Sequence, residues 1–107
     1  VSYRVVVVPR AKAQLLEQAL WWSENRSPAQ AFDWLTRFED KLRSLAKNPA
    51  RFPPAREGTA IGRDLRELYF GLGSKKTHRA IFEIRENDIV VHSIRHLAQA
   101  DLTADDI

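Results

Sequence analysis

Residues 78–96 read HRAIFEIRENDIVVHSIRH, and how they are read decides the fold. In His78 to Arg85, Ala80, Phe82 and Ile84 alternate against Arg79, Ile81, Glu83 and Arg85, the period of a strand. Ile89 to Arg95 is a second run rich in β-branched residues, and Glu86-Asn87-Asp88 between them has turn composition. Two strands joined by so short a turn are antiparallel. Leu65 to Phe70 reads as a further strand before them, which makes a three-stranded meander.

Upstream the pattern changes. Tyr3 to Val8, YRVVVV, is a strand, and Pro9 ends it. From Arg10 to about Asn25 the chain is helical, with Ala11, Leu15, Leu16, Ala19, Leu20 and Trp22 as one apolar stripe. Asn25-Arg26-Ser27-Pro28 breaks and restarts it, with Ser27 as N-cap and Pro28 at the first helical position. The second helix runs to about Lys47, where Asn48-Pro49 stops it. Its apolar residues Ala31, Leu35, Phe38, Leu42 and Leu45 form the seam of a helical hairpin. Residues 49–64 hold three prolines and two glycines without a period, so they form a loop with room for one short helical turn. The order strand, helix, helix, three strands predicts a single α+β domain over residues 1–107, with the helices packed on one face of a small sheet.

Bulk composition narrows the function. The 107 residues suffice for one core, and 44% are apolar. Cysteine is absent, which excludes disulfides, thiolate catalysis and cysteine-ligated zinc and fits a reducing, cytoplasmic setting. Val5 to Val8 is too short for a membrane span or signal core, so no membrane role is expected. His78, His92 and His96 lack helical ligand spacing, and no metal or other cofactor is expected.

The net charge of +3 is unevenly spread. Residues 51–79 carry seven basic side chains against three acids, and residues 80–107 carry two against six. The basic middle is either a solvated surface or an attractant for phosphates or an acidic partner. Its densest part, Gly71-Leu72-Gly73-Ser74-Lys75-Lys76, has the residue types of a phosphate loop. The glycines are two apart rather than five, and a strand follows instead of a helix, so no nucleotide cofactor is expected. The segment reads as a hairpin connection in which glycine supplies positive φ. Arg66, Lys75, Lys76, His78, Arg79 and Arg95 remain as candidate contacts to a phosphodiester or to acidic residues of a partner. For Lys75 and Lys76 the competing reading is solubility at a hairpin tip.

Taken in order, Val8-Pro9-Arg10-Ala11, LAKNPARFP (45–53), GRDLRELYFG (62–71), HRAIFEI (78–84) and DIVVHSIRHLAQADL (88–102) resemble the RelE/ParE superfamily of bacterial toxins. The likeness spans about Tyr3 to Leu102 and leans toward the ParE-like, plasmid-stabilisation branch. It implies the toxin of a two-gene type II toxin–antitoxin module that inhibits growth and is silenced by a cognate antitoxin. ParE-like members poison DNA gyrase without being nucleases. RelE-like members cut messenger RNA in the ribosome.

The nuclease branch requires a base, an acid and cations around the phosphate. The resemblance places Arg79 at the phosphate, with Arg66, Lys75 and Lys76 assisting. Imidazole is the side chain suited to acid/base work near neutrality, so His96 is the best candidate, with His78 second; the competing reading of His96 is a structural histidine at a strand end. The chain departs from the nuclease pattern after its last strand, where no tyrosine, lysine or arginine follows Arg95 and the tail is acidic. The expectation is therefore a ParE-like, target-binding and non-enzymatic toxin. The alternatives are a metal-independent endoribonuclease using Arg79 and His96, and an inactive chromosomal relative. Trp21 and Trp22 cannot share one helix stripe, so one of them belongs at the surface or at an interface.

Overall fold

Pro9 does more than end the first strand. In the computed structural model, which describes residues 2–107, it is the first residue of α1 (Pro9–Asn25), with only the N-cap Val8 between it and β1 (Arg4–Val7). Its fixed φ suits that position, and its missing N–H is one the helix start would leave unbonded in any case. Helix α2 (Pro28–Arg43) begins as its sequence predicts: Ser27 Oγ accepts the Gln30 N–H at 3.1 Å. Such a cap is worth about 1 kcal/mol. The helix is shorter than expected, because its end tightens into a 3₁₀ turn (Ser44–Ala46) and Asn48 then takes a left-handed φ of 48°. The proline-rich loop contains a second 3₁₀ turn (Pro49–Arg51) and the short α3 (Glu57–Ile61).

Strands β2 (Leu65–Phe70), β3 (His78–Arg85) and β4 (Asp88–His96) form the antiparallel meander. The N-terminal strand completes a four-stranded mixed sheet of order β1-β4-β3-β2, with β1 parallel to β4. The β2 edge is shielded by the proline segment, where Ala55 N–H donates to Leu65 O and Glu67 N–H to Pro53 O. Gly71 serves a different purpose from the one its sequence suggests. Gly62, not Gly71 or Gly73, carries the positive φ. At Gly71 the returning loop brings Lys75 O within 2.0 Å of where a Cβ would sit, so the position needs room rather than a special dihedral.

A bulge in β4 resolves a conflict in its sequence. Ile89 and Val91 have one parity and Ile94 and His96 the other, so a regular strand would send them to opposite faces. The register shifts between Ile81↔Ser93 and Phe82↔Val91, leaving His92 as the extra residue. Ile89, Val91 and Ile94 thereby join Leu68, Phe70, Ala80 and Phe82 in the core under α1 and α2, with Ala11, Leu15, Trp34, Phe38 and Leu42 from the helices. The two long helices share that face. The short α3 and the C-terminal segment cover the other one, where Ala55, Leu65, Ile81 and Leu102 make a smaller cluster.

Candidate functional site

The alternating side chains of β3 place the predicted site residues on both faces of the sheet. His78 pairs across the strands with His96, and Arg79 pairs with Arg95. The histidine pair faces the helices, with ring centroids 5.1 Å apart, and the arginine pair faces away from them. Arg79 and His96, the two groups the nuclease alternative would join at one phosphate, therefore lie on opposite sides.

Arg79 is only 1% exposed. Its Nη1 donates to Glu57 Oε1 at 2.9 Å and to Glu67 Oε1 at 3.0 Å, and its Nη2 donates to Glu57 Oε2. Glu57 arrives from α3 and also accepts the Leu102 N–H at 3.1 Å; Glu67 is held by the Tyr69 hydroxyl at 2.9 Å. Burial works against the Glu57 charge, but the hydrogen bonds from Arg79 and Leu102 outweigh it and bring the carboxyl down to about 2. The same bonds, led by those to Glu57, raise Arg79 further. Burial, then the bond to Glu67, raises the Tyr69 phenol. The result is an interior ion triad, and not a guanidinium open to a phosphate.

The other basic candidates are dispersed. Arg95 is buried; its Nε and Nη2 donate to Ala100 O at 3.0 and 2.8 Å, and its Nη1 to Ser93 Oγ at 3.1 Å. Arg66 donates to Phe52 O at 2.8 Å and Ala50 O at 3.2 Å, which ties the proline segment to β2. Lys75 and Lys76 are exposed in the β2–β3 connection. Of the predicted contact residues, Lys75, Lys76 and His96 thus face solvent, while Arg79, Arg95 and His78 are interior. Sequence reasoning missed Glu57 and Glu67. An arginine inside an apolar strand is itself a signal that buried carboxylates must lie nearby, since a lone charge there is prohibitive.

His78 is buried at the end of the aromatic core, beside Trp34 and Phe38. Burial, then the neighbouring His96, pushes its imidazole down to about 4, so it is neutral at pH 7. Its Nε2 meets Gln18 Oε1 at 3.0 Å and its Nδ1 the Thr77 hydroxyl at 2.8 Å. His92, the bulge residue, meets Glu83 Oε1 at 3.0 Å, and Arg63 grips the same carboxylate.

The apolar stripe expected along α1 splits in two. Ala11, Leu15 and Ala19 face the core, while Leu16 is 49%, Leu20 57% and Trp21 49% exposed. Of the adjacent tryptophans, Trp21 is therefore at the surface and Trp22 is half-buried. Phe32 on α2 is 69% exposed. Where the last turns of α1 meet the ends of β3 and β4, Trp21, Trp22, Arg26, His78 and His96 line an open cavity of about 520 Å³. What this surface offers is apolar contact flanked by cations, the chemistry of protein recognition more than of bond cleavage.

Two of three comparisons place the chain. No curated protein matches it significantly. A chain of the chromosomal ParDE toxin–antitoxin system of P. aeruginosa superposes with a TM-score of 0.70 at 15% identity, over 89% of this chain and 96% of that one. The pattern of the ParE toxin of the type II toxin–antitoxin system, parDE, matches residues 5–101. That match covers all but the first residue of β1, the helical hairpin and the whole meander, and on it the chain belongs to the ParE toxin family.

Proposed function

We propose that this protein is the toxin of a two-gene module, acting in the bacterial cytoplasm by binding a target protein, with DNA gyrase the target its family membership favours. A cognate antitoxin silences it by covering the groove between the helical hairpin and the sheet, through an amphipathic segment with acidic residues. One observation weighs most against the RelE-like, messenger-cutting alternative. Arg79 is saturated by Glu57 and Glu67 and faces away from His96. A phosphoryl transition state needs cations and an acid/base group converging on one oxygen cluster.

The test is induction of the chain in a bacterium, with transcript 5′ ends and DNA supercoiling read separately within minutes. The expected result is intact messages with SOS induction and trapped gyrase–DNA complexes. New 5′ ends inside translated messages, lost in His96→Ala, would establish the nuclease instead. His96 is exposed, so that substitution leaves the fold intact. No effect on either readout would point to an inactive relative or to a target other than gyrase and messenger RNA.

A further inference from the structure

The cavity at the end of α1 has a definite chemistry. Two of its walls are aromatic pairs: Trp21 and Trp22, with ring centroids 5.7 Å apart and nearly perpendicular, and the His78–His96 pair. His78 has no hydrogen-bonding capacity left, because Gln18 and Thr77 occupy its two ring nitrogens. His96 differs. Its Nδ1 accepts the Ala98 N–H at 3.1 Å, which puts its own proton on Nε2, and that N–H meets no partner among the described residues. Arg26 on the rim likewise has no ion pair or side-chain hydrogen bond there. No acidic residue lines the cavity, and Lys75 and Lys76 directly precede its wall residue Thr77.

A flat apolar body between aromatic walls, with an anion at the rim, is the ligand such a site accepts. A carboxylate suits it better than a phosphate, because one guanidinium fork can satisfy a carboxylate and leaves a dianion under-bonded. The cavity also opens onto exposed apolar surface, since Trp21, which lines it, is itself 49% exposed. We infer that this cavity is an anchor site for a partner protein. It takes one aromatic or large aliphatic side chain between the indoles and His96, while an acidic residue of the same segment pairs with Arg26. The inference rests on the proposed toxin reading only for the partner's identity, which that reading makes the antitoxin.

The test uses 3-phenylpropionate, its neutral analogue 3-phenylpropanol, and AMP as probes, followed through the indole N–H signals of Trp21 and Trp22 and the imidazole signals of His96. The expected result is saturable shifts at these three residues with millimolar affinity for 3-phenylpropionate. The alcohol binds about tenfold more weakly, the worth of one charge-assisted contact. Arg26→Gln, at an exposed position, removes that difference while thermal unfolding stays unchanged. Absent shifts, equal affinity for acid and alcohol, or tighter binding of AMP would each overturn the assignment. The outcome is separable from that of the induction experiment. A non-toxic chain that binds the probes keeps the anchor site and loses the toxin reading, and a toxic chain that ignores them does the reverse.

Discussion

On the face covered by α1 and α2, the sheet contributes Leu68, Phe70, Ala80, Phe82, Val91 and Ile94. On the opposite face, the same strands contribute Glu67, Arg79, Glu83, Ser93 and Arg95 around a small patch of Leu65 and Ile81. Both faces are mostly buried, yet they are held differently. The helix side is non-directional packing, where volume and shape decide. The far side is stoichiometric: Arg79 is tolerable only because Glu57 and Glu67 meet it, and Glu57 in turn anchors Leu102. One face can be repaired by any group of the right size. The other fails when a single partner is removed.

The largest effects test that contrast directly. Phe38 is fully buried and stacks on Phe70 at 4.5 Å. Phe38→Ala should cost about 3–5 kcal/mol as transfer plus cavity. Arg79→Ala should cost about as much, ~3–5 kcal/mol, because it strands two carboxylates. The repairs differ. Phe38→Leu recovers most of the first loss through volume alone. The second is recovered by neutralising the partners, in Arg79→Met combined with Glu57→Gln and Glu67→Gln. Denaturant unfolding measures all of these. A triple variant no more stable than Arg79→Ala would mean that the far face depends on packing after all.

Acid distinguishes the faces next, in two separate pH windows. His78, on the helix side, titrates at about 4 in the folded chain against 6.5 when unfolded. Between those values the unfolded chain binds a proton that the folded one refuses, so stability present above pH 6.5 falls by about 3 kcal/mol as the pH drops to about 4. Glu57, on the far side, is lowered from 4.5 to about 2, so the stability its charge gives is present above 4.5 and lost as the pH falls toward 2. Urea midpoints at pH 7, 5.5, 4 and 3 should show both declines, and His78→Phe should remove only the first. A flat profile from pH 7 to 4 would mean that His78 is not confined as described.

The helix side was largely legible from sequence because its signals are periodic. The alternation of Ala80, Phe82 and Ile84 and the spacing of Ala31, Phe38 and Leu42 each name a face without reference to the rest of the chain. Even the β4 bulge left a trace, in the three-residue step from Val91 to Ile94. The far side was not legible. Glu57 lies in an aperiodic stretch, and Leu102 lies beyond the last strand; only folding brings them to Arg79. A charge in sequence looks the same whether it is solvated or paired in the interior. That is why Arg79 read as a phosphate contact and Arg95 as a partner contact.

The smallest expected effect concerns a third kind of apolar residue, one that belongs to neither interior. Leu15 and Leu16 are neighbours with the same side chain, 1% and 49% exposed. Leu15→Ala should cost about 2–5 kcal/mol. Leu16→Gln should change stability by no more than about 0.5 kcal/mol, since leucine and glutamine have similar helix propensity and the side chain fills no cavity. Leu20→Gln should behave in the same way. A larger loss at Leu16, growing with protein concentration, would mean that α1 is already covered by a second copy of the chain. A null effect on stability combined with weaker antitoxin binding would separate two uses of leucine one residue apart. Leu15 is then spent on the fold, and Leu16 is held on the outside of the hairpin for a partner to bury.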